Sequence, residues 1–172
     1  MEKELSKTWR VLIEFDILKK WDRILIGLSG GKDSMFLVYA LTEIKKRSPI
    51  PFDLTCFTVN PMFSCAFPKK ELEDFCSSFN IPFYTEDLNI PSAIKDEGPC
   101  YTCFYFRWAT LNRKAKELGF NKVALAHHGD DAAETFFHEP RNIGTAFNAP
   151  LVHLSFPHGT YGDKATYLLQ GI

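Results

Sequence analysis

Residues 24–41, ILIGLSGGKDSMFLVYAL, decide the fold: an apolar run enters a turn holding two glycines and a lysine, and a second apolar run leaves it. The first run, RILIGL at 23–28, is short and bounded by Gly and Ser, as a strand buried on both faces of a parallel sheet would be. The second repeats at helical spacing over 33–47. It turns Met35, Phe36, Val38, Tyr39, Leu41 and Ile44 inward and ends on Lys45, Lys46 and Arg47, where cations complement the helix dipole. Ser29, Gly30 and Gly31 therefore stand at a strand-to-helix turn. Glycines there let the chain bend sharply with its N–H groups converging on one point. That point is an anion site, to which the helix end adds partial positive charge and Lys32 a full one. Asp33 fits beside a bound anion when a divalent cation such as magnesium bridges carboxylate and phosphate. The bland alternative is a tight turn carrying solvated charges. The spacing G-x-x-x-x-G-K-S/T is absent, so this is not a Walker loop.

The alternation continues outward. FDLTCFTVN (52–60) reads as a second strand, KKELEDFCSSFN (69–80) as a second helix and PFYTEDL (82–88) as a third strand. Residues 101–118 read as a helix closed by Gly119, KVALAHH (122–128) as a fourth strand, and GDDAAETFF (129–137) as the opening of a fourth helix. At the other end, residues 4–19 place Trp9, Leu12, Phe15 and Ile17 near helical spacing, so a helix within 1–20 is expected to pack on the domain. From Glu139 the pattern gives way to a loop rich in Pro, Gly and His, until ATYLLQ (165–170) offers a fifth strand. The expectation is one α/β domain over 1–172: a doubly wound, mainly parallel five-stranded sheet flanked by helices, with right-handed crossovers. Ligands in such a sheet bind beyond the carboxyl ends of the strands.

Composition narrows the classes. A chain of 172 residues at 45% hydrophobic content buries roughly 70% of the surface its unfolded form exposes, enough for one core. The formal net charge of −1, from 20 Lys+Arg against 21 Asp+Glu, gives no global attraction to a polyanion. Contact with nucleic acid has to come from a local patch. No run reaches the ~18 to 20 apolar residues of a bilayer span, and MEKELSKTWR leads into no apolar core with a cleavage site. A soluble cytoplasmic protein with no membrane partner is expected. Five cysteines, an odd number without a secretion signal, fit reduced thiols, a metal site or redox chemistry better than a disulfide framework.

Two further clusters carry chemistry. AHHGDD (126–131) puts His127, His128, Asp130 and Asp131 at the end of the fourth strand, on the binding face, where an aspartate also caps the following helix. Cys100 and Cys103 open a helix and have four readings: nucleophilic thiolates, ligands of iron–sulfur or zinc, a cycling dithiol, or inert core residues. Beyond them FRWATLNRK (106–114) interleaves aromatics with Arg107, Arg113 and Lys114. That pattern suits a flipped nucleotide, and equally an amphipathic helix with a solvated face.

SGGKDS (29–34) resembles the signature of the PP-loop superfamily of ATP pyrophosphatases, which split ATP between its alpha and beta phosphates to adenylate a substrate. GPCYTCFYFRWATLNRKAKELGFNKVALAHHGDDAAETFF (98–137) is similar to the tRNA 2-thiocytidine synthetase group, the tRNA cytidine sulfurtransferases. There a C-x-x-C opens a helix and an H-H-x-D-D-x-x-E-T segment follows the next strand. The resemblance covers most of residues 20–140 and implies an adenine nucleotide alpha hydrolase-like fold. It also implies an ATP-dependent enzyme that adenylates a cytidine of tRNA and replaces its carbonyl oxygen with sulfur. By the same resemblance Ser29, Gly30, Gly31, Lys32 and Ser34 hold the phosphates of ATP, and a magnesium ion sits near Asp33. Val59 and Asn60, with Thr58, edge the adenine, and His127, Asp130 and Asp131 lie close to the nucleotide. Lys32 and Asp33 then serve catalysis together with Cys100 and Cys103, which would hold two corners of a 4Fe–4S cluster whose open iron binds the sulfide. The implied partners are tRNA and a sulfide or persulfide donor protein.

The sequence departs from that pattern in one respect. Relatives supply a third cluster cysteine after the fifth strand, and none follows Cys103 here. Cys56 and Cys76 read as core. Cys65, in the PMFSCAFP loop beyond the second strand, is either the third ligand or a plain loop thiol. Three functions stay open: a tRNA sulfurtransferase, an adenylating enzyme on another acceptor with persulfide-carrying cysteines, and a nucleotide-binding module without turnover. The C-terminal edge of the sheet is expected to favour pairing of two copies.

Overall fold

The computed structural model describes Ser6, Trp9, Arg10, Leu12 and residues 17–63, 66–90, 99–128, 152–157 and 164–171. For 99–102, 104–105, 127–128 and the last two stretches it describes the backbone. Strands β1 (Asp22–Gly27), β2 (Phe52–Asn60), β3 (Phe83–Asp87) and β4 (Lys122–His128) alternate with helices α1 (Lys32–Arg47), α2 (Lys69–Ser78) and α3 (Pro99–Glu117). β5 (Val152–Pro157) and β6 (Lys164–Gly171) follow. The sheet order is β3-β2-β1-β4-β6-β5. β1 pairs in parallel with β2 from Asp22↔Phe52 to Gly27↔Phe57 and with β4 from Ile24↔Lys122 to Ile26↔Ala124, and β3 lies parallel to β2. β6 runs antiparallel to both β4 and β5.

Alternate residues of the same strands feed two cores, which is why β1 reads as a continuous apolar run. Ile24, Ile26, Leu54 and Cys56 face α1 and α2, meeting Leu37, Leu41, Leu72 and Cys76. Leu25, Phe57, Val59 and Val123 face the other way, onto Leu111 and Ala115 of α3. Leu12 is fully buried and Trp9 packs against the first of these cores. α3 begins on Pro99, a residue suited to the first helical position, and ends at Gly119, whose φ of +71° closes the helix while the Phe120 N–H returns to the Ala115 carbonyl at 2.8 Å.

The amino ends of the strands are closed by a buried polar staple. Asp22, 2% exposed, accepts the Lys122 ammonium at 2.5 Å, the Asn121 amide at 2.7 Å and the Lys19 N–H at 2.6 Å. Lys122 also donates to the Ile17 carbonyl. The segment before β1 is thereby tied to the foot of β4.

Six strands stand where five were expected. The run read as the fifth strand is β6, longer than expected, and β5 falls within the stretch read as loop. VHLSFP alternates apolar Val152, Leu154 and Phe156 with polar His153 and Ser155, a strand period that the surrounding Pro, Gly and His obscured. Its strand state comes from pairing with β6, from Val152↔Leu169 to Pro157↔Lys164, which propensity does not see. The helix expected over 129–137 and Cys65 lie outside the described residues. Among the described residues no helix is long and apolar enough to cross a membrane.

Candidate functional site

From β1 the chain builds outward to β2 and β3, and α3 then carries it back across the opposite face to β4, on the other side of β1. The strand order thus reverses between β1 and β4. A crevice at their carboxyl ends is where an open α/β sheet binds its ligand, and the 28–31 turn lies there.

The turn is preformed. The Leu28 N–H bonds to the Phe57 carbonyl at 2.9 Å, so the chain leaves the strand still attached to β2. Gly30 adopts φ +83°, which a residue with a β-carbon enters only at a cost, and Gly31 caps α1 with no side-chain hydrogen bond. The Ser29 hydroxyl donates to Ser34 Oγ at 3.0 Å, and the Ser34 hydroxyl donates to the Gly31 carbonyl at 2.9 Å. The Ser29 and Gly31 amides donate to Ser34 Oγ (3.2 Å) and Ser29 Oγ (3.4 Å) in turn. Both serine protons are therefore used inside the turn, and the serines shape it. What the turn offers an anion is main chain and charge. Among the described residues the Gly30 and Lys32 amides have no acceptor, and the exposed Lys32 ammonium has no ion-pair partner. Asp33 is half-buried in the first turn of α1.

A cavity of about 490 Å³ adjoins this turn. Ser29 and Ser34 line one side; Thr58, Val59 and Phe63 form another; Cys103, Arg107, Trp108 and Leu111 of α3 complete the wall. Gly27 forms part of its floor, where a β-carbon would lie 2.3 Å from Leu125 Cδ2 and 3.2 Å from Leu111 Cδ2. Thr58 is 2% exposed and its hydroxyl has no hydrogen-bond partner among the described residues, an unmet polar demand in the cavity wall. A larger hollow, about 740 Å³, lies beside Arg23, Lys45 and Lys46, and neither the turn nor a cysteine lines it.

The expected site residues divide accordingly. Ser29, Ser34, Val59 and Cys103 line one cavity, with Gly30, Gly31, Lys32 and Asp33 on the adjoining turn. Asn60 is committed elsewhere: its amide donates to Asp87 at 2.8 Å, its side-chain oxygen accepts the Met62 N–H and its carbonyl accepts the Leu88 N–H. Cys100 lies in the first turn of α3, three residues before Cys103 and so on the same helix face. His127 and His128 are the last residues of β4, paired with Thr166 and Ala165 of β6. Asp130 and Asp131 lie outside the described residues. Phe63 and Trp108 were missed as cavity residues. Cys103, Arg107 and Leu111 follow one another at four-residue spacing, and that signal would have put Arg107 with the cysteines rather than on an outer face.

Cys56 and Cys76 are fully buried on the face away from α3. Their mutual hydrogen bond and burial push the Cys56 thiol up, far from the reactive range. Among the described residues no three His, Cys, Asp or Glu side chains come together as metal ligands.

An open, mostly parallel sheet with an amide-lined strand–turn–helix at its switch point defines a nucleotide-binding α/β domain. More narrowly, the chain belongs to the PP-loop domain family, which it matches over residues 1–142. It is similar to the tRNA-cytidine(32) 2-sulfurtransferases of Polaromonas sp., at 35% identity over 80% of this chain and 46% of that protein, and of Cupriavidus necator, at 33% over 77% and 43%. It is also similar to the solved structure of the U34-tRNA thiolase NcsA from Methanococcus maripaludis with its 4Fe–4S cluster. There the TM-score is 0.67 at 27% identity, covering 80% of this chain and 48% of that one. The chain thus spans about half the length of these relatives.

Proposed function

We propose that this protein is an ATP-dependent tRNA sulfurtransferase that adenylates a cytidine base and replaces its carbonyl oxygen with sulfur. One observation carries the reading: the thiol of Cys103 opens onto the same cavity as the amide-lined turn, so an activated base and a sulfur source would meet within one wall. The PP-loop family, the sulfurtransferase relatives and the thiolase structure support it.

The residues present fit ATP. The Gly30 and Lys32 amides, without acceptors among the described residues, the helix end and the Lys32 ammonium supply what a triphosphate needs, while the Thr58 hydroxyl beside Val59, without a partner among the described residues, would meet a polar group. Asp33 would hold magnesium against the phosphates. The base carbonyl oxygen attacks the alpha phosphate, and negative charge grows on the departing pyrophosphate, where the turn amides and Lys32 are already aimed. Sulfur then bonds to the base carbon, and AMP leaves with the former carbonyl oxygen. Ser29 and Ser34 hold the turn in shape. Val59 borders the adenine, with Asn60 fixing the strand end through Asp87, and the family resemblance assigns His127, Asp130 and Asp131 to the nucleotide. Cys100 and Cys103 would hold two corners of a 4Fe–4S cluster, which when bound supplies the site for sulfide. The same reading includes a sulfide or persulfide donor protein, a cytoplasmic location, and association of two copies through an edge strand of the sheet.

The test is pyrophosphate release from ATP–Mg and tRNA by protein kept free of oxygen, with 2-thiocytidine measured by nucleoside mass spectrometry. Lys32→Ala and Asp33→Ala are each expected to abolish pyrophosphate formation; full activity in both rejects this placement of the site.

A further inference from the structure

We propose that the pole of the domain opposite the cavity is a second RNA contact, in which Trp21 stacks on an unpaired base while neighbouring cations hold the phosphates. The inference rests on the tRNA reading above and names a surface which that reading does not use. Trp21 is 72% exposed, the most exposed of the large hydrophobic side chains described. It also has φ +72°, a conformation in which a bulky residue is a genuine outlier and where Gly or Asn would sit more easily. Its N–H is fixed to the Pro51 carbonyl at 2.8 Å, so the backbone holds the indole out into solvent. No packing role accounts for tryptophan at that position.

Its surroundings are basic. The Lys20 ammonium lies 5.5 Å from the indole; Arg23 follows on β1 with its guanidinium over the Phe120 ring, and α1 ends on Lys46 and Arg47 toward the same amino ends of the strands. Among the described residues Glu43 pairs with Lys46 and Arg47 and Asp53 with Lys45, while Asp22 is buried against Lys122. The cations in the last turn of α1 are explained by the helix dipole, but the outward indole is not. An exposed aromatic face with a lysine ammonium beside it, at a pole that also carries the basic end of α1, matches a single-stranded nucleic acid, where stacking and phosphate attraction act together. An acidic protein would use the cations and leave the indole idle.

The experiment measures fluorescence anisotropy of a labelled tRNA transcript across a salt series, alongside pyrophosphate release and thermal unfolding. Trp21→Asn is expected to weaken RNA binding about five-fold or more, to leave melting unchanged or raised, and to leave ATP binding intact. Trp21→Phe, which keeps a stacking face, restores most of the affinity. The double substitution Lys46→Glu with Arg47→Glu flattens the salt dependence. RNA affinity unchanged in Trp21→Asn overturns the proposal, as does wild-type protein that binds no RNA at low salt. RNA binding that depends on Trp21 without any pyrophosphate release leaves this surface standing and removes the sulfur-transfer reading. Tight, Trp21-independent binding with full turnover does the reverse.

Discussion

Replacing Gly30 by alanine separates two explanations of the phosphate turn. If the glycine is there because of its backbone, alanine at φ +83° is strained even though space exists: a β-carbon would meet Leu72 Cδ2 at 3.5 Å, an ordinary contact. The left-handed conformation costs an L-residue roughly 1–2 kcal/mol, offset by a few tenths to 1 kcal/mol because alanine also restricts the unfolded chain. A net loss of about 1 kcal/mol, or ~2–4 °C in a chain of this size, is expected. Where the turn relaxes to escape the strain, the Gly30 amide swings off its aim. A lost hydrogen bond to a charged group weakens nucleotide binding by about 10- to 150-fold.

Gly31 is the internal control. Its φ of −76° is open to any residue, and a β-carbon there lies 3.5 Å from Ser29 Oγ. Gly31→Ala should change stability by less than about 0.5 kcal/mol. Urea unfolding and calorimetric titration with ATP–Mg on both variants give the two readouts. Gly30→Ala as stable as wild type with unaltered affinity, or Gly31→Ala equally destabilised, refutes the backbone explanation.

Three other outcomes follow from the geometry. Lys122→Met leaves the Asp22 carboxylate buried without its ammonium and is expected to cost about 3–5 kcal/mol in urea unfolding, with nucleotide affinity of the folded fraction unchanged. Cys103, half-buried in the cavity wall, should be alkylated by iodoacetamide ahead of the fully buried Cys56 and Cys76, and ATP–Mg should slow it; peptide mapping by mass spectrometry reads both. The exposed Glu117 carboxylate is held below the usual range, chiefly by its hydrogen bond to Arg113 and then by Lys114. Because the folded value is lowered, the stabilisation is present at neutral pH and disappears as pH falls through and below the ordinary glutamate range. Glu117→Gln should flatten that acid limb slightly, and 1 M salt should erase the difference, as the chemical denaturation midpoint will show.

How much was legible beforehand follows from where each element gets its stability. β1, the turn and α1 are specified locally, by an apolar run, two glycines and a 3.6-residue repeat, and they were read within a residue or two. Cys56 and Cys76 were placed in the core correctly, because strand and helix periodicity assign them to faces. β5 was overlooked although Val152, Leu154 and Phe156 alternate with His153 and Ser155, because the run is short, stands among Pro, Gly and His, and has its partner beyond an intervening segment. The hydrogen bonds of Ser29 and Ser34 were not legible for another reason. Spacing shows that a hydroxyl is close to the anion site but not where its proton points, and both protons point into the turn. Asn60 has the same difficulty: its commitment to Asp87 depends on the β2–β3 register.

That register also sorts the thiols. On β2 Cys56 shares a face with Leu54, while Phe57 and Val59 point to α3 and the cavity. A slip of one residue would exchange the two sets, moving the thiol beneath α3 and an aromatic ring into the space beside Cys76. Paired against Cys76 in an apolar core, Cys56 has no route to solvent or substrate and loses its nucleophilic form. Cys103 escapes that fate because it sits in the opening turns of α3, where the helix overhangs the carboxyl ends of β1 and β2 and packing gives way to the cavity. Side chains of the same chemistry thus receive opposite accessibilities from the parity of one strand and the starting point of one helix, and among the described residues the accessible thiol is the one on the side that also faces the glycine turn.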